Sequence, residues 1–245
     1  MILISKSHEE LFPCLDKVGV KDAISRNGSV LIKINLAHSA KQGHPRTDSK
    51  LLSQIIQYIY LNNGNCGIAE SANGYLRNNL EHAGLTEIIN KYNVDIIDLD
   101  LEEVEEVIID GEKHYLPICL KNYGVRIGIP ATSKRPKMIF SNNVKLFVGA
   151  VPNRMYQIDD KYVDWRPRVH IDLHKSVSNI FRAIQEYAPF DFFINGGLAM
   201  DEIRGEFLYQ ETLISNDGIE LDLYILHNLF SYLEVPEYLN RLENC

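Results

Sequence analysis

The sequence predicts an α/β fold: a mainly parallel sheet with flanking helices and an inserted β-hairpin. Three observations carry this expectation. Short β-rich runs alternate with amphipathic segments between residues 30 and 99, the order that a parallel sheet with right-handed crossovers requires. An Asp110-Gly111 pair flanked by apolar, β-branched residues marks a tight hairpin. A helix followed by a buried strand then resumes the α/β pattern after residue 176.

Each element has its own signal. Residues 30–36 form a short apolar run bounded by Asn27-Gly28 and a polar loop. Asp48 is placed to cap a helix in which Leu51, Leu52, Ile55, Ile56 and Ile59 recur at helical spacing, and Asn63-Gly64 supplies its stop. Residues 66–70 read as a second strand, 75–83 as a helix carrying Leu76 and Leu80, and 94–99 as a third strand. The hairpin takes residues 104–109 and 114–118, and a further strand at 125–129 ends at Pro130. Residues 131–168 contain Pro136, Pro152 and Pro167 and little periodicity, so loops around a short segment at 144–148 are expected. Residues 176–187 repeat Val177, Ile180, Phe181 and Ile184 on one helical face. Strands at 190–194 and 208–214, a helix after Asp217 and a short helix opened by Pro236 complete a chain expected to be one domain over 1–245. The hairpin and loop region, 101–168, is its insertion.

Composition narrows the function classes. The chain has 245 residues, 45% hydrophobic and 24% charged, as a globular protein should. A formal charge of −8 argues against general affinity for nucleic acid or acidic membranes. No apolar stretch reaches the ~18–20 residues a membrane helix needs, and MILISKSHEE has no signal-peptide apolar core. Cys14, Cys66, Cys119 and Cys245 are scattered, without zinc-knuckle or cluster spacing, and Cys66 reads as core. A cytoplasmic, reduced protein is expected. Glycine-rich dinucleotide and phosphate loops, HExxH and GxSxG are all absent.

Charge is unevenly spread. Asp95 to Glu112 holds nine acidic residues and no Lys or Arg. Lys121 to Arg168 holds ten basic residues against Asp159, Asp160 and Asp164. This is either a solvated acidic hairpin beside an ordinary basic surface, or a basic wall for an anionic small molecule with the acidic segment placed elsewhere.

Open α/β sheets bind ligands beyond the carboxyl ends of their strands. Those positions carry Lys33, Asn35, Thr47, Asp48, Glu70, Ser71, Arg135, Asn195 and Gly196, and Lys145 and Arg154 follow in the basic loops. Lys33, Lys145, Arg135 and Arg154 are the candidate anion holders, and His44 or His170 the acid–base group suited to neutral pH. Lys33 shares a strand face with Leu31 and Asn35, whereas Ile32, Ile34 and Leu36 face the other way. A lysine inside a buried strand needs a partner, and Glu70 at the tip of the next strand is the candidate. The alternative is an edge strand with one wet face. His170, Asp172 and His174 have metal-ligand spacing: on an extended segment all three share a face and could hold a divalent transition metal. The competing reading is that Asp172 or Ser176 merely caps the following helix.

Several of these segments resemble the domain of unknown function 362 family. The strand Val30-Leu31-Ile32-Lys33-Ile34-Asn35-Leu36 is similar to its V-x-I-K-x-N-L strand, and Pro45 with Thr47-Asp48 to its helix entry. Gly67-Ile68-Ala69-Glu70-Ser71 matches its second strand, and residues 144–152 resemble its L-K-N-x-x-G-x-x-P segment. Phe192-Phe193-Ile194-Asn195-Gly196-Gly197 is similar to its I-x-D-G-I strand, and Ser215-Asn216-Asp217 with Asp222 to its S-x-D-x-x-A-x-D turn. Asn195 stands where the family has an acid, Leu146 where it has an asparagine, and Gly205-Glu206 where Gly-Pro is usual. The ferredoxin-like cysteine-rich segment of many relatives is absent, so no iron–sulfur cluster is expected. The resemblance spans residues 28–226 and implies no established activity. The leading expectation is an enzyme acting on a small anionic metabolite by proton or electron transfer in a strand-end cleft. The alternative is a non-catalytic small-molecule-binding or assembly protein that keeps the fold, which the departures at Asn195 and Leu146 favour.

Overall fold

The structure, a computed structural model, describes residues 1–36, 45–134, 139–159 and 162–243. The chain opens with β1 (Leu3–Ser5), α1 (His8–Val18) and α2 (Val20–Asn27), none of which the sequence reading anticipated. Ser7 caps α1, and Gly19, at φ 97°, turns the chain from α1 into α2. Next come β2 (Ser29–Ile34), α3 (Ser49–Leu61), β3 (Asn65–Glu70), α4 (Leu76–His82), α5 (Thr86–Tyr92) and β4 (Asp95–Asp98). Asp48 caps α3 as expected, accepting a hydrogen bond from the Leu51 N–H at 2.8 Å.

The expected hairpin forms from β5 (Val104–Ile109) and β6 (Glu112–Pro117), its second strand starting two residues before the expected 114 because Ile109 pairs with Glu112 directly across the Asp110-Gly111 turn. Asp110 and Gly111 both take positive φ, 49° and 77°, which is why a short polar residue and a glycine occupy this turn. After it come β7 (Val125–Ile129), β8 (Ser133–Lys134), α6 (Asn143–Leu146) and α7 (Leu173–Tyr187). The segment expected as loops around residues 144–148 thus contains a strand and, at 144–148 itself, helical turns. The chain ends with β9 (Phe192–Asn195), β10 (Leu198–Asp201), β11 (Gly205–Leu208), β12 (Thr212–Ser215), α8 (Gly218–Leu229) and α9 (Glu237–Glu243). Asp217 caps α8 through the N–H groups of Ile219 and Glu220.

The single strand expected at 208–214 is in fact two, β11 and β12, which belong to different sheets. β11 folds back on β10, and β10 runs parallel to β8, making a small three-stranded sheet. β12 enters the central sheet, whose order is β1-β12-β9-β7-β2-β3-β4. The five strands from β9 to β4 are parallel, and β12 and β1 add antiparallel pairings at one edge.

Alternation along β2 divides the molecule into layers. Val30, Ile32 and Ile34 pack with residues of α1 to α5 on one face. Leu31 packs on the other with the hairpin, α6, α7, α8 and α9. Both faces of the sheet are covered, so β2, β3, β7 and β9 read as almost continuous apolar runs. No helix among the described residues is long and apolar enough to cross a membrane.

Candidate functional site

From β2 the chain moves through α3 to β3 on one side, while β7, on β2's other side, leads through α7 to β9. With α3 and α7 on opposite faces, the carboxyl ends of β2 and β7 form a topological switch point, where open sheets leave a crevice. Thr47 stitches this point together. Its hydroxyl accepts the Asn35 N–H at 2.8 Å and donates to the Ile129 carbonyl at 2.6 Å, and its own N–H donates to the Asn35 carbonyl at 2.9 Å. Asp48 follows at the N-terminus of α3, its carboxylate lying over Gly197 at the end of β9. Gly197 has φ 72° and no room for a Cβ beside Asp48, so only glycine fits that close approach.

A cleft of about 240 Å³ opens beside these residues. Asp48, Lys50, Gly197 and Tyr209 line it together with Lys6 and Glu211. Among the described residues neither Lys6 nor Lys50 makes an ion pair, leaving two cations for a bound group. The sequence reading missed Lys6, Lys50 and Tyr209. Only the antiparallel pairing of β1 with β12 brings the N-terminal segment to this edge, and no local pattern announces it.

Lys33 and Glu70 lie beneath the strand ends. They meet at 2.9 Å with side chains 0% and 2% exposed. Lys33 also donates to the Ile34 carbonyl at 2.6 Å, and Glu70 accepts the N–H groups of Leu36 and Ser71. Burial lowers the Lys33 ammonium and raises the Glu70 carboxyl, and their mutual attraction opposes both shifts. β2 is central, so the alternative of a wet edge strand is excluded. Shut off from solvent, the pair belongs to the floor of the strand ends rather than to their open surface. Ser71 is likewise committed, its hydroxyl accepting a hydrogen bond from the Arg166 guanidinium.

Asn195 is also fully buried, in a polar network at the ends of β7 and β9. Asn143 Nδ2 donates to Asn195 Oδ1 at 2.8 Å, and Asn195 Nδ2 donates to Asn142 Oδ1 at 2.5 Å. Asn142 Oδ1 also accepts the Thr132 hydroxyl, which in turn accepts that of Tyr209. Asp222, on α8, is the one carboxylate here. It accepts from Asn142 Nδ2, Asn143 Nδ2 and the N–H groups of Asn143 and Val144, and burial still pushes it up to about 7. Asn142 and Asn143 gave no signal in the sequence, since polar residues before an apolar run are ordinary loop composition. Gly196 packs against Thr212 and Leu51.

Arg154, one of the expected anion holders, is engaged elsewhere: it donates to the backbone carbonyls of Asp100 and Glu102, beyond β4. Lys145 is half-buried on α6. His44 and Arg135 lie outside the described residues. The acidic segment is not placed apart from the basic one: Arg154 and Lys121 engage it, and Lys175 and Arg182 of α7 pair with Glu112 and Asp110.

The proposed metal triad is taken apart by local structure. Residues 170–174 form a turn running into α7 rather than an extended segment, so the shared face does not exist. Asp172 caps α7 through the Lys175 N–H. His170 is exposed, with Nδ1 2.8 Å from the Arg166 carbonyl and its ring edge-on to Trp165. His174 stacks on Tyr238. Among the described residues no group of three His, Cys, Asp or Glu side chains could hold a metal ion.

No curated protein matches this chain significantly. Residues 30–227 match the family described as Domain of unknown function (DUF362), a span that begins in β2, ends in α8 and contains the switch point, the buried pair and the Asp222 network. The chain belongs to the DUF362 family.

Proposed function

We propose that the protein is an enzyme that acts on a small anionic metabolite by proton transfer in the strand-end cleft, in the cytoplasm. The observation that carries this reading is that Lys6 and Lys50, which make no ion pair among the described residues, line one cleft with Asp48 beside the switch point. The lysines draw and hold the anion. Asp48 uses Oδ1 to cap α3, while its carboxylate reaches the cleft and serves as the acid–base group. A non-catalytic binding protein is the second reading, favoured by the burial of Lys33 with Glu70, which takes that amine out of the open cleft.

Deuterium wash-in separates the two. A panel of phosphorylated and carboxylated metabolites is incubated with the protein in D2O and followed by proton NMR. Enzyme activity gives exchange of one acidic C–H in one member. Asp48→Asn, which preserves a good helix cap, lowers that rate by at least about 10²-fold. Lys50→Ala weakens binding by about 10-fold. Saturable binding without exchange supports the second reading, and no binding by any member overturns both.

A further inference from the structure

The strand-end cleft adjoins a second pocket, of about 310 Å³, and the two share Tyr209, Gln210 and Glu211, the strap that joins β11 to β12. Phe207, Leu213, Tyr224 and Leu229 give this pocket apolar walls. Arg204, the one cation lining it among the described residues, is spent. Its Nε meets Asp201 at 2.7 Å, a second nitrogen donates to the Leu229 carbonyl at 2.6 Å, and the guanidinium lies 4.2 Å from the centre of the Phe207 ring. A charged cleft and an apolar pocket thus meet along one three-residue strap.

The strap carries two groups suited to a cation. Glu211 is half-buried, lines both hollows and makes no ion pair among the described residues, although Lys6 and Lys50 line the same cleft. Tyr209 is held from behind. Its N–H donates to the Gly197 carbonyl at 2.8 Å and its hydroxyl to Thr132 at 2.8 Å, so what it has left for a ligand is its ring. A carboxylate and an aromatic ring lining one hollow are a recognition pair for an ammonium group.

The balance of charge points the same way. Among the described residues Lys6 and Lys50 line the strand-end cleft opposite in sign to Asp48 and Glu211. A ligand that is only an anion meets repulsion there as well as attraction, whereas one carrying both signs can be attracted at each end.

We infer that the metabolite of this cleft is an amino acid with an apolar side chain. Its carboxylate lies at Lys6 and Lys50, its ammonium group at Glu211 and the Tyr209 ring, and its side chain in the apolar pocket across the strap. This inference rests on the function proposed above and narrows its substrate to an anion that also bears an amino group.

The test is calorimetric titration of the full chain with each enantiomer of leucine, with glycine, and with isocaproate, which is leucine without its amino group. One enantiomer of leucine should bind saturably, and glycine and isocaproate at least about 10-fold more weakly. Glu211→Gln, at a position with no hydrogen bond or ion pair to lose among the described residues, should weaken leucine at least about 10-fold and close its gap to isocaproate. No binding by either enantiomer, glycine or isocaproate binding as tightly as leucine, or leucine binding indifferent to Glu211→Gln each overturns the inference. Tight isocaproate binding that is lost in Lys50→Ala would do so while leaving the function proposed above standing. Leucine binding indifferent to Lys50→Ala would instead strike at the anion holders of that function.

Discussion

Lys33 and Glu70 face each other across neighbouring parallel strands, Nζ to Oε1 at 2.9 Å, with neither side chain open to water. The register explains the contact. Lys33 pairs with Ala69 across the β2–β3 ladder, placing the next residue, Glu70, where its side chain can curl back to the ammonium. Glu70 then holds the chain on both sides of the strand ends through the N–H groups of Leu36 and Ser71. The pair ties the exits of β2 and β3 together beneath the surface.

Removing one member leaves the other charge buried. Lys33→Met retains the bulk of the stem but strands the Glu70 carboxylate, and should cost about 3–5 kcal/mol in urea unfolding. Lys33→Met combined with Glu70→Gln should recover part of that loss, with a coupling energy above about 1 kcal/mol. Additive single-variant effects would contradict a direct pair.

Gly149 closes the pair from the other side. Its carbonyl accepts the Ser71 N–H at 3.1 Å, and a Cβ there would lie 2.5 Å from Glu70 Oε1 and 3.1 Å from Lys33 Nζ. Gly149→Ala therefore overpacks a site with no slack and should destabilise the protein by about 1–3 kcal/mol. In the Lys33→Met/Glu70→Gln background the penalty should change, because the atoms it meets are different. Thermal unfolding of the four combinations measures this, and a neutral Gly149→Ala would mean that the pair is not packed as described.

Asp222 gives stability a pH dependence of a particular sign. Its carboxyl is pushed up to about 7 by burial, well above the ordinary value of 3.8. The folded chain therefore keeps a proton that the unfolded chain releases between about pH 4 and pH 7. The stabilising contribution is complete below about pH 4 and is lost as pH rises towards 7. Asp222→Asn cannot titrate, so the stability difference between the two proteins should move in the variant's favour across that window. Urea unfolding at stepped pH values reads this directly, and a difference that stays flat from pH 4 to 7 would refute it.

Much of the molecule was legible in its residues. The Asp48 cap, the α3 face, the Asp110-Gly111 turn and the two-sided alternation of β2 are set by neighbours within a few positions, and the structure has them all. Even the Lys33–Glu70 pair could be anticipated. A buried lysine demands an anion, and consecutive strands joined by one helix tend to be adjacent. The metal triad failed for the same local reason in reverse: its geometry assumed an extended segment, and the Asp172 cap makes that segment the start of a helix.

Tertiary structure alone decided which distant polar groups share a site. Nothing near Asn143 in sequence indicates Asp222 or Asn195, and nothing near Lys6 indicates Asp48 or Gly197. Those meetings follow from where β12 and β1 join the sheet and how α8 docks against its face. The physical reason is one of range. Hydrogen-bonded turns and apolar periodicity are local and leave their pattern in consecutive residues, whereas a buried polar cluster is assembled by packing the apolar surfaces around it. The sequence by itself determined the α3 cap and face, the hairpin turn, the alternation of β2 and the demand for a partner to Lys33; the packing of its layers determined the strand-end cleft.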